Sequence, residues 1–484
     1  MLSRFKLQPK TKLNGTDAFF LFIILCFSFA SRLWILHNPD AVVFDEVHFG
    51  NFTNWYTKSE FFYDIHPPLG KMVMFLFANL SEYDGDIDFS GNYARSFRNS
   101  QYVILRLTPA IFSSLCAPMI YLALRFDSFS SYAAFISAFL MCCDSSLLTE
   151  QRFILSDGML HFFSCLFLVV FSYTNSLPSF SSRWFLFIFL SGVTLGAACS
   201  SKNTAWGLMA YAAYVEVFIT LQIYAPFSFD AVFSVAVRGC LLALPVIVVY
   251  VLSFVIHFII LPFSGQGTAY LCQDMKDQLI LKNIASSELW AKRVMKPNLI
   301  SRTILLSFNM HRGNMGIKQF HGAQSRPINW PLLTGNYVAF WVGSQNRQVN
   351  CMGNVFVYYF AFFSLIANFV TFWKPKWNIS LRYVVGRIVS FVPFFLIPRS
   401  MFLYHYLIPL IIGCMSAGAA VDNLFSRKWV GIMLVVVCVL SAFGFYLWSP
   451  YAYGTSHLDR DITIWHDNWV HGDQFHRELQ KSSK

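Results

Sequence analysis

The sequence is poor in charge. Asp, Glu, Lys and Arg make up 13% of its 484 residues, against about 25% in soluble globular domains. With 56% hydrophobic residues, that scarcity excludes intrinsic disorder, which needs the opposite balance. A disulfide scaffold is excluded as well. The 11 Cys are odd in number, and Cys26, Cys116, Cys165, Cys414 and Cys438 sit in apolar runs, where a thiol packs as a small hydrophobe. The chain has no GxGxxG, no Walker loop, no HExxH and no Cys/His spacing suited to zinc. No unit of about 20–50 residues recurs, which excludes solenoids and propellers. The net charge of +11 is scattered and forms no basic stripe interleaved with aromatics, so it does not indicate nucleic acid.

What the sequence has in excess is apolar bulk, with 53 Phe alone. One soluble core cannot bury so much in a chain of this size. The composition is that of an all-α polytopic membrane protein. A spanning helix takes about 20 mostly apolar residues. Eleven runs qualify: 17–36, 103–124, 129–143, 153–174, 184–200, 204–223, 232–262, 352–373, 384–398, 401–421 and 429–448. The seventh contains Pro245 and is long enough to tilt or kink. The first is too long for a cleaved signal peptide, and no small-residue cleavage site follows it. Arg4, Lys6, Lys10 and Lys12 precede it and set the N-terminus in the cytosol. Arg125, Arg183, Lys374, Lys376, Arg427 and Lys428 then fall in cytosolic loops, and the tail lies on the far side. The expected division is a cytosolic N-terminus (1–16), a membrane domain (17–262) with a far-side loop at 37–102, a second far-side loop (263–351), a second membrane domain (352–448) and a tail (449–484).

Loop 37–102 carries nine of the chain's 25 acids: Asp40, Asp45, Glu46, Glu60, Asp64, Glu82, Asp84, Asp86 and Asp88. Its densest motif is Phe44-Asp45-Glu46-Val47-His48-Phe49-Gly50. An adjacent Asp-Glu pair is most often an ordinary solvated turn. Here apolar residues flank it, and Arg32, at the end of the first run, is placed to pair with it. Asp64-Ile-His66-Pro67-Pro68-Leu-Gly70-Lys71 follows, a rigid turn into Met72–Leu80, which is expected to lie on the membrane surface. Asn51-Phe-Thr and Asn79-Leu-Ser fit the glycosylation acceptor pattern, a frequent chance match. Asp84-Gly-Asp86-Ile-Asp88 opens like a calcium loop, but Phe89 and Arg95 stand where Gly and Glu are required.

Arg32, Arg106, Arg152, Asp157, Lys202, Arg238 and Arg399 lie in or at the ends of apolar runs. A charge at a helix centre costs about 2.5–3.5 kcal/mol on insertion scales, so each is either functional or snorkelling to an interface. Snorkelling suits Arg238 and Arg125 on the cytosolic side. Arg106, Arg152, Lys202 and Arg399 fall in the far half with Asp45. A carboxylate beside several cations suits transfer from a lipid-linked phospho-sugar. The phosphate leaves without a general acid, cations stabilise it, and one carboxylate takes the acceptor's proton. Glycoside hydrolysis would require a carboxylate pair.

These blocks resemble the protein O-mannosyltransferases. The resemblance is carried by Ser31-Arg32-Leu, Val43-Phe-Asp45-Glu46-Val-His48-Phe-Gly50, Phe62-Tyr-Asp64-Ile-His66-Pro67-Pro68-Leu-Gly-Lys71, Tyr83-Asp-Gly85, Tyr102-Val-Ile-Leu-Arg106 and Gln151-Arg152-Phe-Ile-Leu-Ser-Asp157. His321, Ser325, Pro327, Trp330-Pro331-Leu-Leu and Phe402-Leu-Tyr404-His405-Tyr406-Leu extend it, over about 17–448. The resemblance implies a GT-C type glycosyltransferase of about eleven transmembrane helices in the endoplasmic reticulum membrane, with a luminal catalytic loop. It implies transfer of mannose from dolichyl phosphate mannose to Ser or Thr of secretory proteins. No cluster of residues demands a metal, and no cofactor is expected beyond the lipid donor. By resemblance Asp45 is the base or an acceptor-binding residue, and Glu46 is its partner, which helps position the acceptor. Arg32, His48, Arg106, Asp64 and His66 are linked to activity. Arg106, Arg152, Lys202 and Arg399 are assigned to the donor phosphate, and His321, Trp330, Tyr404 and His405 to donor or acceptor contacts. Family enzymes often pair as homo- or heterodimers. One departure stands out: about ninety residues at 263–351 cannot hold the β-trefoil (MIR) module usual in eukaryotic members, so this reads as a compact form. The competing readings are a lipid-linked-sugar transferase with another sugar or acceptor, an inactive partner subunit, and a transporter, which would favour inverted repeats that the sequence lacks.

Overall fold

A computed structural model describes residues 12–90, 95–270, 279, 299–344, 347–456, 460–466 and 468–469. The topogenic Arg4, Lys6 and Lys10, the middle of the 263–351 loop and most of the 449–484 tail lie outside the described residues.

The helices are α1 (Gly15–Leu33), α2 (Glu46–Thr57), α3 (Leu69–Leu80), α4 (Gln101–Ser114), α5 (Cys116–Phe126), α6 (Ser131–Cys143), α7 (Ser145–Glu150), α8 (Asp157–Asn175), α9 (Ser182–Cys199), α10 (Trp206–Ile223), α11 (Phe229–Ile260), α12 (Leu299–Met315), α13 (Val355–Val370), α14 (Trp377–Phe391), α15 (Leu407–Leu424) and α16 (Arg427–Tyr453). Among the described residues nine helical segments are long and apolar enough to cross a bilayer. They are α1, α4 with α5, α8, α9, α10, α11, α14, α15 and α16. The shorter α6 and α13 fall on the two remaining expected runs. Polar residues start several of these helices. Asn14, Ser130, Ser181, Ser228 and Asn354 each accept a first-turn N–H of α1, α6, α9, α11 and α13.

Two ends differ from expectation. Helix α14 starts at Trp377 rather than near 384. Arg382 and Arg387 dilute its hydropathy, but Arg387 is buried and donates to Tyr406 Oη and the Ala361 carbonyl. Helix α16 runs to Tyr453, past the expected 448, and stops at Gly454, whose φ of +64° suits a glycine helix end.

Packing follows side-chain size. Helix α15 is buried almost all round, against α13, α6 and α14, as a central helix must be. Its Gly418 leaves no room for a Cβ, which would meet the Ala133 carbonyl at 2.3 Å. Gly192 and Gly196 of α9 form a small-xxx-small pair against α11, where a Cβ would meet the Leu242 carbonyl and the Val246 Cα at 2.6 and 2.9 Å. Helix α6 has only 13 residues, nearly all buried, so lipid thickness does not dictate its length.

Both far-side loops fold into one body. The first supplies α2 and α3. The 12 residues of α3 are too few to span, and Leu76, Phe77 and Leu80 remain exposed on it. The second supplies α12 and an antiparallel hairpin, β1 (Val338–Val342) with β2 (Gln348–Cys351), the one sheet among the described residues. A shared core joins Val43, Phe49, Phe52 and Phe62 of the first loop to Leu306, Met310, Val338 and Phe340 of the second.

Candidate active site

Asp45 opens α2 without capping it. Asp at this position usually accepts a first-turn N–H, yet its side chain makes no such bond here. The carboxylate is therefore left for another task. It is half-buried. Burial pushes its pKa up, the nearby His48 and Lys202 pull it back, and Asp157 and Asp64 push it further up.

Its neighbour Glu46 has the opposite fate. Glu46 is fully buried. Oε1 accepts from Arg106 Nε at 2.7 Å and the Ile154 N–H at 3.0 Å; Oε2 accepts from Arg106 Nη2 at 2.8 Å and the Val43 N–H at 2.9 Å. Four bonds fill a carboxylate. Glu46 therefore cannot hold an acceptor; it fastens the Asp45 turn to α4 and to the 152–154 segment.

The same accounting corrects three cations. Arg106 is buried, bonded to Glu46 and to the carbonyls of Pro39 and Ala41 at 2.7 and 2.9 Å. Arg152 is buried and donates to the carbonyls of Ser31, Arg32, Trp34 and Ile35, at and just past the end of α1. Arg106 has its donors filled by Glu46 and backbone carbonyls, and Arg152 turns its Nη donors onto backbone carbonyls while its buried Nε has no partner among the described residues, so neither guanidinium faces the cavity. Arg32 pairs with Gln151 Oε1 at 3.0 and 3.1 Å, not with the Asp45-Glu46 pair as expected; Arg106 takes that place.

Of the cations expected at the donor phosphate, Lys202 and Arg399 face open space. With His66 and His405 they line a cavity of about 430 Å³ whose walls also include Trp206, Val389, Pro393 and Ile397. Lys202 Nζ bonds both Asp157 oxygens at 2.8 and 2.9 Å. Burial opposes its charge, but Asp157, Glu150 and Asp45 outweigh that and hold its pKa above the ordinary Lys value. Arg399 donates to Asn314 Oδ1 of α12 and the Ser400 carbonyl. His66 Nδ1 is buried with no partner among the described residues. Burial, together with Lys202, Lys71 and Arg399, pushes the His66 pKa well down, so its ring is neutral. Asp64 pairs with Lys71, whose Nζ also donates to the carbonyls of His66 and Pro67 at 2.8 and 3.2 Å. The Asp64–Lys71 pair thus locks the turn that presents His66.

The remaining expected residues stand around this cavity rather than in it. His48 is exposed on the first turn of α2. His321 sets its ring edge against Phe402. Trp330 is buried, donates to Ser325 Oγ at 2.9 Å and packs against Phe394 and His405. Tyr404 lies between the Phe44 ring at 5.9 Å and Lys202 Nζ at 5.2 Å. Sequence reasoning left two acids out of the site: Asp157, the direct partner of Lys202, and Glu150. Glu150 is buried; burial and Asp157 hold its pKa well above the carboxylate range. The available signal for Glu150 was an acid, with Asp144, in the short segment between two apolar runs. No three His, Cys, Asp or Glu side chains are grouped as for a metal among the described residues.

Comparison with known proteins follows the same two parts. Residues 22–263 match the model of the dolichyl-phosphate-mannose-protein mannosyltransferase family, and residues 299–471 match the C-terminal four-transmembrane region of protein O-mannosyltransferases. A Candida albicans dolichyl-phosphate-mannose–protein mannosyltransferase 2 is 32% identical over 346 residues, covering 69% of this chain and 41% of that protein. The Saccharomyces cerevisiae mannosyltransferase 3 is 34% identical over 49% of this chain and 32% of its own length. The chain thus spans less than half the length of these relatives. In fold it is similar to a chain of the S. cerevisiae Pmt1-Pmt2 complex bound to the sugar donor, with a TM-score of 0.85 at 20% identity, over 96% of this chain and 94% of that one. ArnT from Cupriavidus metallidurans bound to undecaprenyl phosphate follows at a TM-score of 0.54 and 13% identity, over 92% and 77%.

Proposed function

The chain belongs to the dolichyl-phosphate-mannose-protein mannosyltransferase family, and from that premise we propose that it moves mannose from dolichyl phosphate mannose to Ser and Thr hydroxyls of secretory proteins. The observation that carries this reading is the uncapped Asp45 carboxylate, which interacts electrostatically with Lys202 and Arg399, the two cations that wall a cavity together with His66 and His405.

The acceptor oxygen attacks the anomeric carbon from the face opposite the phosphate. The bond from that carbon to the phosphate oxygen breaks, so the configuration inverts. Asp45 takes the hydroxyl proton, and its raised pKa makes it a better acceptor for that proton than a solvated carboxylate. Lys202 and Arg399 meet the charge that gathers on the leaving phosphate. The neutral imidazole of His66 and the imidazole of His405 add N–H donors at the same wall. The apolar part of the wall, from Trp206 to Ile397, suits a polyprenyl chain.

The reading places the protein in the endoplasmic reticulum membrane with its N-terminus cytosolic and the Asp45 face luminal. The solved relative is a complex of two such chains, and pairing with a related mannosyltransferase is part of the proposal. Acceptor choice falls to the two luminal loops, since 263–351 is too short for a trefoil module.

The test is transfer of labelled mannose from dolichyl phosphate mannose to a Ser/Thr-rich peptide, in membranes expressing this chain, with Asp45→Asn beside it. Loss of transfer by about a thousandfold or more in a variant of normal abundance is expected. Near-normal transfer by Asp45→Asn removes Asp45 as the base. A chain that transfers another sugar, and not mannose, overturns the donor.

A further inference from the structure

The backbone just before Asp45 is strained, and something distant in sequence holds it. Phe44 has φ +48°, a left-handed conformation that a bulky residue keeps only where its surroundings over-determine it. Its amide donates to the Phe340 carbonyl at 2.9 Å. Its ring lies flat on the Phe340 ring, centroids 4.0 Å apart and planes 5° apart. Phe340 belongs to β1 in the other luminal loop. In the hairpin register Ala339 pairs with Asn350 and Trp341 with Val349, so Phe340 is the extra residue of a β-bulge. A bulged residue is released from the ladder and can be aimed elsewhere. Phe340 is buried, so the aim is fixed by packing. Tyr404 sets its edge against both rings, and its own ring faces Lys202 Nζ at 5.2 Å.

We propose that Phe340 is a positioning residue for the transfer reaction: the bulge hands its carbonyl and ring to Phe44, and that contact holds the Phe44–Asp45 turn so that the Asp45 carboxylate faces the Lys202 side of the cavity. This rests on the reading of Asp45 as the base. The strain is then explained. Relaxed, the turn would rotate the Asp45 side chain away from its working position, and Asp45 has no cap bond to hold it. It also explains how the hairpin of the second luminal loop takes part in catalysis, through Asp45 rather than through a substrate.

The experiment compares Phe340→Tyr, Phe340→Leu and Phe340→Ala in the full chain in membranes. It measures kcat, the KM for donor and for peptide, the rate–pH profile and the melting temperature of the extracted protein. Phe340→Ala should lose about a hundredfold in kcat, the scale set by small misplacements of a reacting group, with donor KM unchanged. Phe340→Leu keeps the bulk but not the flat ring face and should also lose kcat. Phe340→Tyr keeps the ring face and should retain it. Loosening the turn lets water reach Asp45, so the acid limb of the profile should move to lower pH in Phe340→Ala. The charged groups acting on Asp45 are His48 on α2, Asp64, Lys202, Asp157, Glu150 and Arg399, and none of these is altered.

A wild-type kcat in Phe340→Leu, a loss that follows the folded fraction alone, or an acid limb that does not move would each overturn the inference. Asp45→Asn in the same membranes separates the two readings. If it stays active, the assignment of the base is what fails. If it is inactive while Phe340→Ala turns over normally, the positioning role alone fails.

Discussion

Two sets of cations flank the Asp45 turn, and they differ in what their N–H groups touch. Behind the turn, Arg32, Arg106 and Arg152 are fully buried, and apart from a partnerless Arg152 Nε their donors end on Ser31, Gln151, Glu46 and a row of backbone carbonyls. In front of it, Lys202 and Arg399 line a cavity, with Arg399 anchored by Asn314 and Lys202 by Asp157. All five looked alike as charges near apolar runs. The difference is capacity. A guanidinium with its donors filled by immobile acceptors is frame, because no ligand can displace those acceptors without unfolding the loop. A cation held on one side and facing a cavity on the other can still receive a phosphate.

The strongest way to break this division is Arg106→Gln. Removing one partner of a buried pair strands the other, at a cost of about 3–5 kcal/mol. Glu46 would be left buried against a neutral side chain, so the folded yield after detergent extraction should collapse. A variant that accumulates normally and fails only in transfer would return Arg106 to the chemistry. Next comes Lys202→Gln, expected to lose about a hundred- to thousandfold in kcat, as for other removed donors at a developing charge. Because it strands Asp157, it should be paired with Asp157→Asn, which should recover folded protein but not turnover. Recovery of both would make Lys202 frame too. Arg399→Gln should lose less, about ten- to a hundredfold in kcat/KM, since part of its donor set is already spent on Asn314 and Ser400. Full activity in that variant would leave the leaving phosphate to Lys202 and the imidazoles.

The smallest effect sharpens the comparison through pH. Asp45 must be ionised to act as a base, and burial raises its pKa. Activity should therefore be present at higher pH and fall as the pH drops through that raised value, above the ordinary Asp value of about 3.9. Lys202 stabilises the ionised form, so the residual activity of Lys202→Gln should show its acid limb at higher pH than wild type. A limb that stays in place would mean that Lys202 does not act on Asp45.

Much of the architecture was legible because lipid is an exacting solvent. Each expected run carries a helix, since a bilayer demands long apolar segments whose backbone bonds are internal. The run with the least certain start was the one containing Arg382 and Arg387, whose charge lowers hydropathy while Arg387 finds partners inside the bundle. The Asp45-Glu46 pair was also legible as a focus. Its division of labour was not. Arg106 and Glu46 are 60 positions apart, Arg32 and Gln151 are 119 apart, and Lys202 and Asp157 are 45 apart.

The sequence by itself determined that this chain is built of apolar helices suited to a membrane, and that acids and cations gather near the Asp45 loop. Those facts follow from the transfer free energy of local segments, which is written residue by residue. Only the tertiary structure decided that Glu46 is a rivet, that Arg106 and Arg152 are bonded to the frame rather than facing the cavity, that Lys202 and Arg399 do face it, and that Phe340 reaches across from the second loop to Phe44. Those outcomes depend on which donor meets which acceptor, and hydrogen bonds are too short-ranged and directional for any one stretch of chain to specify its distant partner.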